Sequence, residues 1–252
     1  MSGGSAAVLK CMGDQAEYYN TFYRELARID ERHNTPAKIA GFLPPLAPGA
    51  RIIDIGCGHG SVSRDLVTQG YEVYGMEINR EAVESLREKG IKPVEHDITQ
   101  PFRLDEKFDL VLILDVLEHL FNPLALVAEA AKILNDDGYL IITVPLYFDL
   151  LDRIRIFFTG SVISYDNRCY GRELYERFRS YNYDHIRFFK PIDLLEMCEI
   201  SGLRVDKVKY SPMSGDLFNL PTKVLVKMIA NRFTVNLNPG LLAHSMTLRV
   251  KK

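Results

Sequence analysis

From residue 51 onward, short aliphatic runs alternate with segments of helical spacing. This rhythm narrows the possible folds more than any other feature of the chain. RIIDI (51–55), YEVYGMEI (71–78), FDLVLIL (108–114) and YLIITVP (139–145) read as strands, with a more polar IKPVEHD (91–97) as the third. Such brief, nearly continuous apolar runs mark strands covered on both faces. Between them lie three helical segments. SVSRDLVTQG closes on Gly70, NREAVESLREKG opens on an Asn79 cap and closes on Gly90, and NPLALVAEAAKILNDDG opens on Asn122 with Pro123 in its first turn. Asn caps, a first-turn proline and terminal glycines are the expected helix punctuation. Strand–helix alternation predicts an α/β fold, a parallel sheet with helices on both faces. Ligands of such sheets bind beyond the carboxyl ends of the strands, near the switch in strand order. Farther on, PIDLLEMCEISG reads as a helix, LRVDKVKYS as a strand and SMTLRVKK as an alternating, edge-like strand.

One domain accommodates this pattern. The chain has 252 residues, 47% of them hydrophobic and 25% charged, which is enough to fill a sizeable core. Residues 1–35 read as a flexible lead and an aromatic-rich helix (15–32). Residues 36–252 form the main domain, interrupted at about 146–190 and 212–244. The net charge of −2 provides no basic field for nucleic acid. Cys11, Cys57, Cys169 and Cys198 are scattered without a CxxC pair, as expected of reduced thiols in a cytoplasmic protein. No apolar run has the length of a bilayer span, and the N-terminus lacks a signal-peptide pattern.

The segment DIGCGHG (54–60) follows the first strand. Gly56, Gly58 and Gly60 admit left-handed backbone and close approach to a ligand. A dinucleotide, a phosphate or another nucleoside-bearing cofactor all suit such a turn. No GK[ST] follows, so it is not a P-loop. The spacing is G-x-G-x-G, where the dinucleotide fingerprint is G-x-G-x-x-G. Asp54 stands just before the turn, and a carboxylate there favours a cationic ligand over a phosphate. Glu77 ends the second strand and is placed to accept both hydroxyls of a ribose. Asp97 follows the third strand and suits an exocyclic amine, with the Ile98 amide beside the ring. Cys57 reads as a small loop filler and His59 as a turn residue.

DIGCGHG, YGMEIN, HDI and FDLVLILDVLEHL together resemble the successive motifs of class I S-adenosylmethionine-dependent methyltransferases. Within that class they resemble the ubiquinone-pathway O-methyltransferases and the small-molecule methyltransferases of polysaccharide clusters. The resemblance covers residues 38–209 and the last strand. It implies a Rossmann-like sheet of seven strands in the order 3-2-1-4-5-7-6, the last antiparallel, with a lid inserted after strand 5. It also implies S-adenosylmethionine as cofactor, held by Asp54, Gly56, Gly58, Gly60, Glu77, Ile78, Asp97, Ile98 and Leu114. The expected reaction is methyl transfer to a small-molecule acceptor, at a hydroxyl oxygen of a sugar, glycan precursor or quinone- or phenol-like compound. An RNA 2′-O-methyltransferase and a non-catalytic cofactor-binding protein are the rivals. The glycine spacing and Asp54 weigh against an NAD-type oxidoreductase.

Methyl transfer to oxygen also requires a base or a metal to remove the acceptor proton. Asp115, Glu118 and His119 have i, i+3, i+4 spacing, so a helix would place all three on one face. That set suits a divalent cation such as Mg, and the metal-binding relatives have a similar string. His119 is otherwise a metal-free base. His185, in DHIRFF, is a second candidate at the acceptor, with Arg187 locking the insertion onto the core through a carboxylate. The 146–190 insertion is rich in aromatics and arginines and reads as an acceptor wall. Its LLDRIRIFF string also fits peripheral membrane contact or a homodimer contact in place of a monomer.

Overall fold

The computed structural model describes residue 39 and residues 41–146, 149–159, 187–212, 231 and 233–252. The expected lead and N-terminal helix, His185 and most of the 146–190 and 212–244 insertions lie outside the described residues. The strands are β1 (Arg51–Ile55), β2 (Glu72–Glu77), β3 (Lys92–Glu95), β4 (Phe108–Leu114), β5 (Leu134–Pro145), β6 (Arg204–Pro212) and β7 (Ala243–Lys251). They form one sheet in the order β3-β2-β1-β4-β5-β7-β6. β7 runs antiparallel to both neighbours, β5 and β6. The helices are α1 (Ser61–Thr68), α2 (Arg80–Glu88), α3 (Pro123–Ile133), α4 (Leu150–Thr159), α5 (Pro191–Ile200), α6 (Thr234–Leu237) and α7 (Pro239–Leu242). No helix among the described residues is long and apolar enough to cross a membrane.

The core has two layers because successive strand residues face opposite sides. Ile53, Ile55, Val111, Ile113, Leu140 and Ile142 pack with Leu126, Val127 and Ala130 of α3 and with Leu194 and Cys198 of α5. Ile52, Leu110, Leu112 and Ile141 pack on the other side with Val62 and Leu66 of α1, Leu86 of α2, and Ile39 and Phe42. Burial on both faces is why these strands read as continuous apolar runs.

Two strands differ from their sequence patterns. β5 begins at Leu134, directly after α3, and its pairing with β4 shifts register between Phe108 and Leu110. β7 alternates like an edge strand but lies inside the sheet, with β6 at the edge. Its polar positions are covered by other means. Arg249 sits over the rings of Phe42 and Tyr139 and donates to the Phe42 carbonyl at 2.8 Å. At the other end of the sheet, α4 carries the exposed pair Phe157 and Phe158, packed edge to face at 5.2 Å.

The entry to α2 is set by Asn79, which is buried at 2% exposure. Its side chain accepts from the Ala82 N–H at 2.9 Å. We expect Asn79→Ala to destabilise the protein by about 1 kcal/mol, the usual cost of losing such a cap. An unchanged urea midpoint would contradict this account of the α2 terminus.

Candidate active site

The site begins where β1 and β2 end side by side. Gly56, Gly58 and Gly60 all have positive φ, at 72°, 53° and 73°, but they serve different ends. A Cβ at Gly56 would lie 2.8 Å from Val116 and one at Gly60 2.6 Å from Leu86. Those two glycines are therefore required by packing. A Cβ at Gly58 would meet nothing within 4 Å, so Gly58 is the glycine that borders open space. Sequence spacing could not separate these roles, because Val116 and Leu86 are distant in the chain.

Glu77 holds the turn in place. The Gly58 N–H donates to its Oε2 at 3.0 Å. The N–H groups of Ile78 and Asn79 donate to its Oε1 at 2.8 and 2.9 Å. A carboxylate offers about four lone-pair positions. Three are taken by amides, which leaves room for about one further donor on Oε2. The carboxylate expected from the sequence to accept two ribose hydroxyls is thus largely occupied in shaping the loop. Burial pushes the Glu77 carboxyl upward, opposed by these three amide bonds.

Asp54 lies on β1, 3% exposed, and accepts from Ser63 Oγ at 2.6 Å. Burial raises its carboxyl from an ordinary 3.8 to about 6; the Ser63 bond lowers it, and the charge of Glu77 adds to the rise. The Cys57 thiol beside these acids is pushed up by burial and then by the charges of Asp54 and Glu77. It stays protonated at neutral pH, in keeping with a filler rather than a nucleophile. Asp97 forms a local turn, its Oδ1 accepting from the Thr99 N–H at 2.9 Å and from Thr99 Oγ1 at 2.7 Å. The Ile98 side chain reaches the Gly56 backbone, where a Cβ would stand 3.7 Å away. Ile78 follows Glu77 directly, and Leu114 ends β4 half-buried.

The segment after β4 does not form the helical face expected of DVLEHL. Asp115 is left-handed, with φ 54°, and is the only such non-glycine among the described residues. Its N–H donates to the Thr143 carbonyl at 3.1 Å and to Thr143 Oγ1 at 3.0 Å. Its Oδ1 accepts from the same hydroxyl at 3.0 Å. Only Leu117–His119 are helical, as a single 3-10 turn. Asp115 therefore faces β5, while Glu118, 1% exposed, meets His119 with Nε2–Oε1 at 4.0 Å. No group of three His, Cys, Asp or Glu side chains among the described residues is gathered to hold a metal. Arg187 does dock the returning chain on this turn, as expected, but through backbone oxygens and not a carboxylate. Its N–H donates to the Glu118 carbonyl at 3.1 Å, and its guanidinium donates to the Phe121 carbonyl.

These features fit S-adenosylmethionine. A buried carboxylate suits a ligand ammonium, and an amide-lined glycine turn opens beside a second carboxylate able to accept a hydroxyl. The comparisons agree with this geometry. A family of methyltransferase domains matches residues 23–208. The chain belongs to that family and is a class I S-adenosylmethionine-dependent methyltransferase. It is 26% identical over 194 residues to a ubiquinone biosynthesis O-methyltransferase of Vibrio cholerae, covering 73% of this chain and 74% of that protein. Its fold matches a SAM-dependent methyltransferase from Archaeoglobus fulgidus with TM-score 0.57 at 18% identity, over 91% of this chain and all of that one. It also matches a magnesium protoporphyrin IX methyltransferase from Synechocystis, crystallised with bound SAM, with TM-score 0.50 at 19% identity, over 92% and 84% of the two chains.

A raised carboxyl has a defined sign in stability. Protonated Asp54 is favoured by the fold, so its contribution is fully present below pH 3.8 and is lost as pH rises through about 6. The shift corresponds to about 3 kcal/mol. Urea unfolding of the ligand-free protein should show this loss, and Asp54→Asn should remove it. Identical pH dependence in the two proteins would contradict the assignment.

Proposed function

We propose that the protein methylates a hydroxyl oxygen of a small phenol- or quinol-like acceptor. The observation that carries the reading is the Glu77 clamp on the glycine turn, with Asp54 buried beside it. The resemblance to ubiquinone biosynthesis O-methyltransferases supports oxygen as the methylated atom and the acceptor class. Asp54 neutralises the cofactor's ammonium. Gly58, with Gly56 and Gly60 shaping the turn, admits its methionine portion. Glu77 accepts a ribose hydroxyl, Ile78 and Leu114 line the nucleoside, and Asp97 and Ile98 hold the adenine. When bound, the cofactor supplies a methyl group on an already activated sulfonium, so the protein mainly orients the acceptor and excludes water.

His119 accepts the acceptor's proton, and Glu118, 4.0 Å from Nε2, stabilises the resulting imidazolium. His185, outside the described residues, is assigned to the same acceptor by its sequence motif alone. A divalent ion on Asp115, Glu118 and His119 is the alternative to a metal-free His119, with one Asp115 oxygen already accepting from Thr143 Oγ1.

Two measurements test this reading. Calorimetry with S-adenosylhomocysteine should show binding that weakens as pH falls below about 6, where Asp54 becomes protonated. Asp54→Asn should abolish that dependence and bind weakly throughout. Glu77→Gln should lose about 1.5–3 kcal/mol of binding, the scale of hydrogen bonds to a charged group. Unchanged affinity in Glu77→Gln would remove the ribose role.

Separately, methyl transfer to a catechol should persist in excess chelator. His119→Gln should reduce kcat by roughly 100-fold or more while leaving S-adenosylhomocysteine binding intact. Loss of turnover in chelator, with recovery on adding Mg, would return the Asp115–Glu118–His119 set to a metal.

A further inference from the structure

A second carboxylate–imidazole pair stands at the same edge of the sheet, made of residues that no motif brings together. Asp149 opens α4, its carbonyl accepting from the Arg153 N–H at 3.0 Å. Its side chain is buried, at 4% exposure. Asp149 Oδ2 lies 3.4 Å from Nδ1 of His244, whose side chain is 51% exposed. His244 is fixed at the start of β7, where its carbonyl accepts from the Leu146 N–H at 2.8 Å. The Arg153 guanidinium donates to the Gly240 carbonyl at 2.9 Å and ties α4 to α7 beside the pair.

The position relative to the reaction centre follows from the strand register. The Asp115 N–H bonds to Thr143, so the end of β4 lies level with that residue of β5. Leu146, bonded to His244, is three residues farther along the same chain. At about 3.3 Å per residue this is roughly 10 Å beyond Asp115 along the strand direction, and His244 stands on β7, two strands over from β4. With strands about 4.8 Å apart the backbones are roughly 14 Å from each other, a separation that side chains reaching in from both ends would narrow to the scale of one substituted ring. Burying a carboxylate is costly unless it is paired. Here the pairing places Nδ1 of a half-exposed imidazole against Asp149 and leaves Nε2 as the nitrogen available to a ligand. A hydroxyl both donates and accepts, so it suits Nε2 in either protonation state.

We propose that His244, positioned by Asp149, is a second polar subsite of the acceptor pocket and holds a hydroxyl on the end of the acceptor away from the methylated oxygen. The subsite rests on the hydroxyl-acceptor reading above, and it accounts for specificity rather than for the chemical step.

The test pairs variants of the full chain, saturated with S-adenosylhomocysteine, with two probes, hydroquinone and phenol. Hydroquinone should bind the wild-type complex more tightly than phenol by about 10-fold in calorimetry. His244→Ala and Asp149→Asn should each erase that difference, weakening hydroquinone and leaving phenol and S-adenosylhomocysteine unchanged. In turnover the same variants should raise KM for hydroquinone with kcat nearly constant, the signature of lost binding common to ground and transition states. Equal effects on both probes, a loss confined to kcat, or undiminished discrimination in His244→Ala would overturn the subsite. Failure of the wild-type complex to bind either phenolic probe removes the phenolic-acceptor reading instead. Methyl glucoside and its deoxy counterparts then replace the probes. Sugar discrimination that disappears in His244→Ala sustains the subsite, and discrimination or binding unaffected by the substitution overturns it.

Discussion

The carboxylate of Glu77 is the point on which the site depends. It gathers three amides from two separate pieces of chain, Gly58 after β1 and Ile78 with Asn79 after β2. Charge-assisted bonds of this kind are stronger than neutral ones. They fix the glycine turn against the end of β2, and Asn79 then starts α2 from the same corner. The shape of the turn, the direction of the helix and the place of the acid are thus one arrangement.

That arrangement is held at an energetic cost. Asp54 and Glu77 are both buried carboxylates; burial raises the carboxyl of each, and the charge of Glu77 raises that of Asp54 further. A cationic ligand relieves the cost, so the same burial becomes affinity for a ligand of the right charge. Asp115 adds a second local departure, a left-handed non-glycine residue held by both the carbonyl and the hydroxyl of Thr143. Residues kept in sparsely populated backbone regions cluster at functional sites. Asp115 lies where β4 hands the chain to the Leu117–His119 turn.

Much of this was legible in the sequence, where the cause is local. RIIDI and FDLVLIL coincide with β1 and β4, and Asn79 and Asn122 cap the helices their neighbours announce. The strand order followed from the family resemblance and is the order observed. What escaped depends on contacts between distant segments. The glycine spacing looked like three points of ligand approach, yet Val116 and Leu86 require two of the glycines. DVLEHL has helical periodicity, but the bonds from Asp115 to Thr143 draw its first residue out of any helix. His244 lay outside every motif, and only the pairing of β7 with β5 brings it to Asp149.

The most direct test of the account is a crystal structure of the protein with S-adenosylhomocysteine bound. The account predicts the ligand ammonium beside Asp54, its methionine portion against Gly58 and a ribose hydroxyl on Glu77 Oε2, with the three amide bonds of Glu77 preserved. A ligand bound elsewhere, or a Glu77 that must release the Gly58 amide to admit it, would contradict the account.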